Sequence, residues 1–457
     1  MKNLKVLSGA ALLAVSAVAL ASCGGKSSNG QTIIFHNTCG QNLQAVIQTA
    51  IDTFEEKYPG WTVESTQVGG YEDVYNGCIA NLTANTQPDI AYCYADHVAT
   101  YITTNKVLDM NQFINSTESV EGNTVGYSAT EVADFVSGYY NEGKASNYAN
   151  YSQYGFTADS MLTMPFSKST ELMYVNIDAL KGANVVNADG SADIPETWDE
   201  LWEACAKIKA KYPASTPFCY DSESNWVINM AKQNGWNYTS AESPYYSFKN
   251  DENIAKWLDS LTAKYSEQLI ATQTTYGSYT SGLFTAGMEE GGCAFCIGSS
   301  GGASYQATDK FEWKVAAVPG TKKNDGTIDK SVISQGPSLV MFDTGDTERE
   351  TMAWMFMKEL LDPTFQSTFS QTSGYNPVRL STYQKDEYKT FLAKTSSIVS
   401  QAANVASTLQ DNFFTSPAFD GSTDARVQIG TALVYVIKGE KTGAKALADA
   451  YKNCGGK

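Results

Sequence analysis

Apolar positions between residues 32 and 92 follow two alternating periods. Residues 32–35 (TIIF) form a short β-rich run. Leu43, Val46, Ile47, Ala50, Ile51 and Phe54 then recur at the spacing of one helix face, and Tyr58-Pro59-Gly60 stops that helix. Residues 61–65 alternate as a second strand, 71–85 read as a second helix, and 88–92 as a third strand. Strand, helix, strand, helix, strand predicts a parallel sheet covered by helices.

The order restarts downstream. Residues 161–165, 172–175 and 292–297 are strand-like. Pro195 precedes Thr197, a helix N-cap, and Glu200 three residues on completes a capping box. Residues 347–361 are helical and closed by Asp362-Pro363, and helices at 427–436 and 444–451 finish the chain. Residues 115–154, rich in Tyr, Asn and Ser, show no period.

The N-terminus changes the picture from fold to location. Lys2 and Lys5 precede an apolar stretch, residues 6–20, broken only by Ser8, Gly9 and Ser16. It is short for a membrane span, which takes about 20 apolar residues, and fits a secretory signal. Leu20-Ala21-Ser22-Cys23 resembles the bacterial lipobox, which implies cleavage before Cys23 and acylation of its thiol. The alternative is an ordinary signal peptide with Cys23 incidental. Residues 1–22 are thus expected to be a signal peptide, and 23–30, rich in Gly, Ser and Asn, a lipidated tether. The protein is expected outside the cytoplasm, anchored to the membrane by lipid.

Removing 1–22 leaves 435 of the 457 residues, too many for one core, so at least two lobes are expected. The formal charge of −17 becomes −19 without Lys2 and Lys5. Such a surface repels nucleic acid and anionic lipid and fits a monomer. Cys23 aside, eight cysteines remain. Cys205 and Cys219 are the expected pair if disulfides form. Cys293-Ala-Phe-Cys296 lies in a strand-like run, where residues three apart face opposite sides, so buried free thiols are expected rather than a metal site.

The search for catalytic chemistry finds one motif. Gly298-Ser299-Ser300-Gly301-Gly302 fits G-x-S-x-G after a strand. A nucleophilic Ser300 needs a base, and the chain's two histidines, His36 and His97, both precede it. A Gly-rich turn offering N–H and O–H donors is the better reading. No catalytic residue, cofactor or metal is expected.

Several separated motifs resemble the family 1 extracellular solute-binding proteins of ABC importers, above all the members that bind sn-glycerol-3-phosphate and its diesters. They are Ile34-Phe35-His36, Gly70-Tyr71-Glu72, residues 164–170 (MPFSKST) leading to Tyr174-Val175-Asn176, and residues 195–201 (PETWDEL). Ser299-Ser300-Gly301, residues 336–339 (GPSL), residues 374–377 (GYNP) and Ala425-Arg426-Val427 follow in the same order. The resemblance places Tyr71, Ser169, Ser299 or Ser300, Gly336, Tyr375 and Arg426 at ligand contacts, and Trp226 at a tryptophan beside the pocket. Two positions depart: the family's glutamate aligns with Ala95, with Asp96 beside it, and a second tryptophan position is Glu223.

The resemblance implies an α/β, two-lobed periplasmic-binding-protein fold with discontinuous lobes and a hinge. Its N-terminal lobe would hold 31–166 and 330–376, its C-terminal lobe 167–329 and 377–457. Crossovers would lie near Phe166, 316–334 and Asn376. The implied function is capture of a small polar ligand and delivery to an importer permease. Arg426, whose planar donor fork suits phosphate oxygens, ranks glycerol-3-phosphate or a glycerophosphodiester first. A neutral sugar or oligosaccharide is the alternative, and a serine hydrolase the third.

Overall fold

A computed structural model describes residues 31–456. The expected opening is present. Strands Gln31–Asn37, Trp61–Gln67 and Ile90–Cys93 run parallel, with helices Gln41–Lys57 and Tyr71–Ala84 between them. The first helix buries Val46, Ile47, Ala50, Ile51 and Phe54 and ends at Tyr58, whose amide donates to the Phe54 carbonyl. Gly60 follows at φ +104°, a conformation that favours glycine.

The first sheet has the order 61–67, 31–37, 90–93, 338–341, 164–165. Strand Ile90–Cys93 shows why both faces are covered. Ile90 and Tyr92 join a core with Phe54 and Trp354, while Ala91 and Cys93 join Val74, Cys78 and Leu82 on the other side. Burying each of the larger of these side chains is worth about 1.5–3 kcal/mol.

The second sheet is built on Ser169–Asn176, whose eight residues are all buried. That strand pairs antiparallel with Phe295–Ser299, Trp313–Ala317 and Val332–Gln335. Phe218–Tyr220 and Ile270–Thr272 extend the sheet in parallel beyond Phe295–Ser299. The capping box forms as expected at helix Trp198–Lys211: Thr197 Oγ1 accepts the Glu200 amide, and the Glu200 carboxylate accepts the Thr197 amide. Helices Thr347–Leu360, Ser422–Ile437 and Gly443–Asn453 match the closing pattern, the second starting five residues before its apolar period.

Two lobes thus share the chain, and three crossings join them side by side. Lys168 and Asn376 exchange backbone hydrogen bonds, at 3.1 and 2.6 Å. Gly336 sits at φ +85° against residues 167–169, where a Cβ would fall 2.2 Å from the Ser167 carbonyl oxygen. The return crossing lies later than expected: Val332–Gln335 still pairs in the second sheet, and the switch comes at Gly336-Pro337. Residues 115–154 fold into the hairpin Ser119–Val120/Asn123–Thr124 and short helices. Trp354 Nε1 donates to the Val125 carbonyl, and Arg379 pairs with Asp134, both from distant segments.

The eight cysteines from Cys39 to Cys454 are buried free thiols. Two expectations about them change. Cys205 lies in helix Trp198–Lys211, whereas Cys219 Sγ approaches Cys293 Sγ at 3.0 Å. Cys293 and Cys296 do not face opposite sides, because the strand begins only at Phe295 and its alternation does not reach Cys293.

Candidate ligand cleft

A cavity of about 440 Å³ opens between the lobes. The first lobe supplies Tyr71, at the start of helix Tyr71–Ala84, and Tyr94, just past strand Ile90–Cys93. The second supplies Asp221 and Ser299, each at the carboxyl end of a strand, and Gln335 at the crossing. Tyr375 stands at the third crossing. Its hydroxyl meets that of Tyr71 at 3.2 Å, and the Tyr71 and Tyr94 rings pack at 4.6 Å. Gly301 lets the Tyr375 ring lie flat on the turn, since a Cβ there would be 2.7 Å from the ring. Tyr279 and Tyr305 stand exposed at the mouth.

Asp221 sets the charge of this cleft. Its Oδ1 accepts from the Thr280 amide (2.7 Å) and hydroxyl (3.0 Å). Burial, then the nearby Cys296 sulfur, push its carboxyl up to about 6 against those bonds. Among the described residues, no Lys, Arg or His lines the cavity.

A second, narrower space of about 70 Å³ adjoins it, sharing Tyr94 and Gln335. Here charges from the two lobes are paired. Arg426 Nε donates to Asp96 Oδ2 at 3.0 Å, and its Nη1 to Asn225 Oδ1 at 2.7 Å. Asn225 and Gln335 exchange amide hydrogen bonds (2.9 and 3.1 Å), and Asn225 Nδ2 also donates to Glu171 (2.9 Å). Burial raises the Glu171 carboxyl to about 7 despite donors from Tyr220, Asn225 and Asn229. Lys168 binds Glu142 at 2.6 Å and donates to Ser338 Oγ at 3.2 Å.

The residues expected at the site therefore divide. Tyr71, Ser169, Ser299 and Tyr375 line the larger cavity. Asp96, Gly336 and Arg426 line the smaller one, with Asp96 and Arg426 bound to each other rather than free. Ser300 is fully buried and its Oγ accepts the Thr170 amide at 3.2 Å, so it does not face the cleft. Trp226 is likewise fully buried, stacked on Tyr220 at 5.2 Å and packed against Trp198 and Trp257, so it is core. Cys23 lies outside the described residues. Asp221, Tyr94 and Gln335 carry no motif. The one signal that points to Asp221 is its position directly after a short apolar strand, where open α/β sheets place ligands.

The model of the family described as bacterial extracellular solute-binding protein matches residues 49–394. Among curated relatives, the sn-glycerol-3-phosphate-binding periplasmic protein UgpB of Yersinia enterocolitica is 23% identical over 367 residues, covering 79% of this chain and 77% of that one. The protein of the same name from Salmonella typhimurium is 22% identical over 358 residues, 77% of this chain and 75% of its own. Among solved structures, UgpB from Mycobacterium tuberculosis in complex with glycerophosphocholine superposes with a TM-score of 0.71 at 16% identity, covering 93% of this chain and 98% of that chain. The GacH receptor of Streptomyces glaucescens, solved unliganded and with acarbose, gives 0.70 at 14% identity with the same coverage.

Proposed function

The chain belongs to the bacterial extracellular solute-binding proteins, capture components of ABC importers, and from that premise we propose that its cleft takes up a neutral, polyhydroxylated ligand, a sugar or glycoside. The observation that carries this reading is Asp221, among the described residues the one carboxylate lining the cleft, set among tyrosine, serine and glutamine side chains with no lining cation. A carboxylate accepts hydrogen bonds from ligand hydroxyls, and tyrosine rings cover their carbon-bound faces. A phosphate placed there would face Asp221 with no lining cation among the described residues to offset the repulsion. Hydroxyl contacts drawn from both lobes would favour the closed state, because only closure satisfies both sets.

The second reading is a glycerol phosphate. It is favoured by the names of the curated relatives and by Arg426, which stands one shared wall away and would have to exchange Asp96 for the ligand. A thermal-shift screen of neutral sugars, glycosides, glycerol-3-phosphate and glycerophosphocholine separates the two. A ligand at 100 times its dissociation constant stabilises by about 2.7 kcal/mol. Stabilisation by the phosphates alone would replace the first reading with the second.

The buried Ser300, with Oγ held by the Thr170 amide, supports binding without turnover. Neither histidine helps it: His36 sits within a first-lobe strand, and His97 Nδ1 accepts the Tyr94 amide. Cys23 we assign as the lipid anchor. Cys23→Ala should leave an uncleaved or soluble precursor; a variant that still partitions with the membrane like the parent would contradict the assignment.

A further inference from the structure

Behind the second-lobe wall of the cleft three thiols meet. Cys219 lies directly across from Cys296 in the parallel strand pair Phe218–Tyr220 and Phe295–Ser299. Cys293 precedes that pair, and the Ala294 and Phe295 amides both donate to the Pro217 carbonyl at 2.9 Å, which brings the two segments together just before Cys219. The Cys219 and Cys293 sulfurs are 3.0 Å apart, and all three sulfurs lie within 4.8 Å of one another. All three residues are fully buried. Cys296 Sγ also meets Thr280 Oγ1 at 3.4 Å and accepts from Gln306 Nε2 at 3.5 Å. Thr280 holds Asp221, and Gln306 itself lines the cleft. The cluster is thus one side chain away from the cleft.

We propose that Cys219 and Cys293 form a disulfide once the chain is outside the cytoplasm, with Cys296 as a third thiol through which the bond can exchange. Three considerations favour this over a metal ion. Sulfurs that share a tetrahedral zinc at about 2.3 Å stand roughly 3.8 Å apart, wider than the 3.0 Å contact found here. A disulfide needs about 2.05 Å, a shift of roughly 1 Å. Three thiolates would also bring negative charge into the core beside the Asp221 carboxylate, whereas a disulfide is neutral. Finally, a disulfide persists outside the cytoplasm, where this family works.

The chemistry needs an external disulfide, R–S–S–R, met while the lobe folds and the thiols are still reachable. Burial raises the thiols of Cys219 and Cys293. Cys296, within 4.8 Å of both other sulfurs once the lobe closes, is taken as the attacking thiolate. It bonds to one sulfur of R–S–S–R and releases RS⁻, and Cys219 displaces the second RS⁻. Cys293 then takes over from Cys296, which regains a thiol. Two protein thiols lose two electrons and two protons, and the reagent leaves as two RSH.

The test refolds the full chain from denaturant in oxidised and reduced glutathione, quenches in acid, alkylates under denaturing conditions and maps chymotryptic peptides. Phe295 lies between Cys293 and Cys296, so cleavage after it separates them. The expected result is two protected thiols among the nine cysteines of the full chain, with Cys219 linked to Cys293. Cys296→Ser should keep that link, and Cys293→Ser should move it to Cys219–Cys296. Reductant should lower the melting temperature of the wild type by roughly 5–10 °C and that of Cys219→Ser by nothing. Alkylation of all nine thiols, or a link between other cysteines, would overturn the proposal. So would one zinc or copper(I) ion per chain in native mass spectra, lost in Cys296→Ser.

Discussion

The two cavities between the lobes share Tyr94 and Gln335 and differ in every electrostatic respect. In the smaller one, each charge has a partner: Arg426 with Asp96, Lys168 with Glu142. In the larger, Asp221 is held only by the neutral donors of Thr280, and the rest of the wall is hydroxyl, amide and aromatic. Ion pairs that bridge lobes set how the lobes meet. An acceptor with capacity left over sets what can lie between them. A residue's type, Arg or Asp, does not reveal which of these roles it has; its partner does.

The largest expected effect comes from removing the free acceptor. Asp221→Asn should weaken a neutral ligand by about 10–100-fold, the worth of a hydrogen bond to a charged group, as read by calorimetry. The pH dependence sharpens the same point. Burial has raised the Asp221 carboxyl from 3.8 to about 6, so ligand affinity should fall as pH drops through about 6 and the acceptor is protonated. The stability of the free protein should move the other way. A carboxyl whose folded value exceeds its unfolded one contributes stability that is full below the unfolded value and is lost as pH rises to the folded one. For Asp221 that window runs from 3.8 to about 6, and for Glu171 from 4.5 to about 7. Opposite slopes of affinity and stability across about 4–6 are expected from paired titration and denaturation; parallel slopes would break the comparison.

Next in size is the bridging pair. Arg426→Ala leaves Asp96 buried without its partner and should cost about 2 kcal/mol of stability, while Asp96→Ala in the same chain should restore part of it. Affinity for a neutral ligand should change less than in Asp221→Asn. Gly301→Ala, which forces the Tyr375 ring off the turn, should cost roughly tenfold in affinity with little change in melting, since a 1 Å misplacement in a preorganised site is felt at that scale. The smallest pair is Ser299 and Ser300. Ser300→Ala strands the Thr170 amide and should cost about 1 kcal/mol of stability with affinity unchanged, while Ser299→Ala should weaken affinity about threefold. Thermal melts and calorimetry on both variants check the split.

Much of the fold was legible because it is encoded locally. The helix face from Val46 to Phe54 and the Thr197–Glu200 capping box need only their own few residues, and both form as the pattern predicts. Residues 115–154 show no period because distant side chains hold them, Trp354 on Val125 and Arg379 on Asp134. Motif and geometry coincide at Tyr71 and Tyr375, which both line the larger cavity. Trp226 looks like a ligand-facing aromatic until Trp198, Tyr220 and Trp257 are placed around it. Ser299 and Ser300 are adjacent, and only the end of the strand at Ser299 decides which of them faces the cleft.

The proposed neutral-ligand function requires Asp221, rather than Arg426, to set ligand chemistry. Calorimetric titration of glycerol-3-phosphate and of the neutral sugar or glycoside that most raises the melting temperature, into wild type, Asp221→Asn and Arg426→Ala at neutral pH, tests it directly. The neutral ligand is expected to bind wild type, to be lost or strongly weakened in Asp221→Asn and to be retained in Arg426→Ala, while glycerol-3-phosphate gives no comparable binding. Tight binding of glycerol-3-phosphate that survives Asp221→Asn and disappears in Arg426→Ala would contradict it.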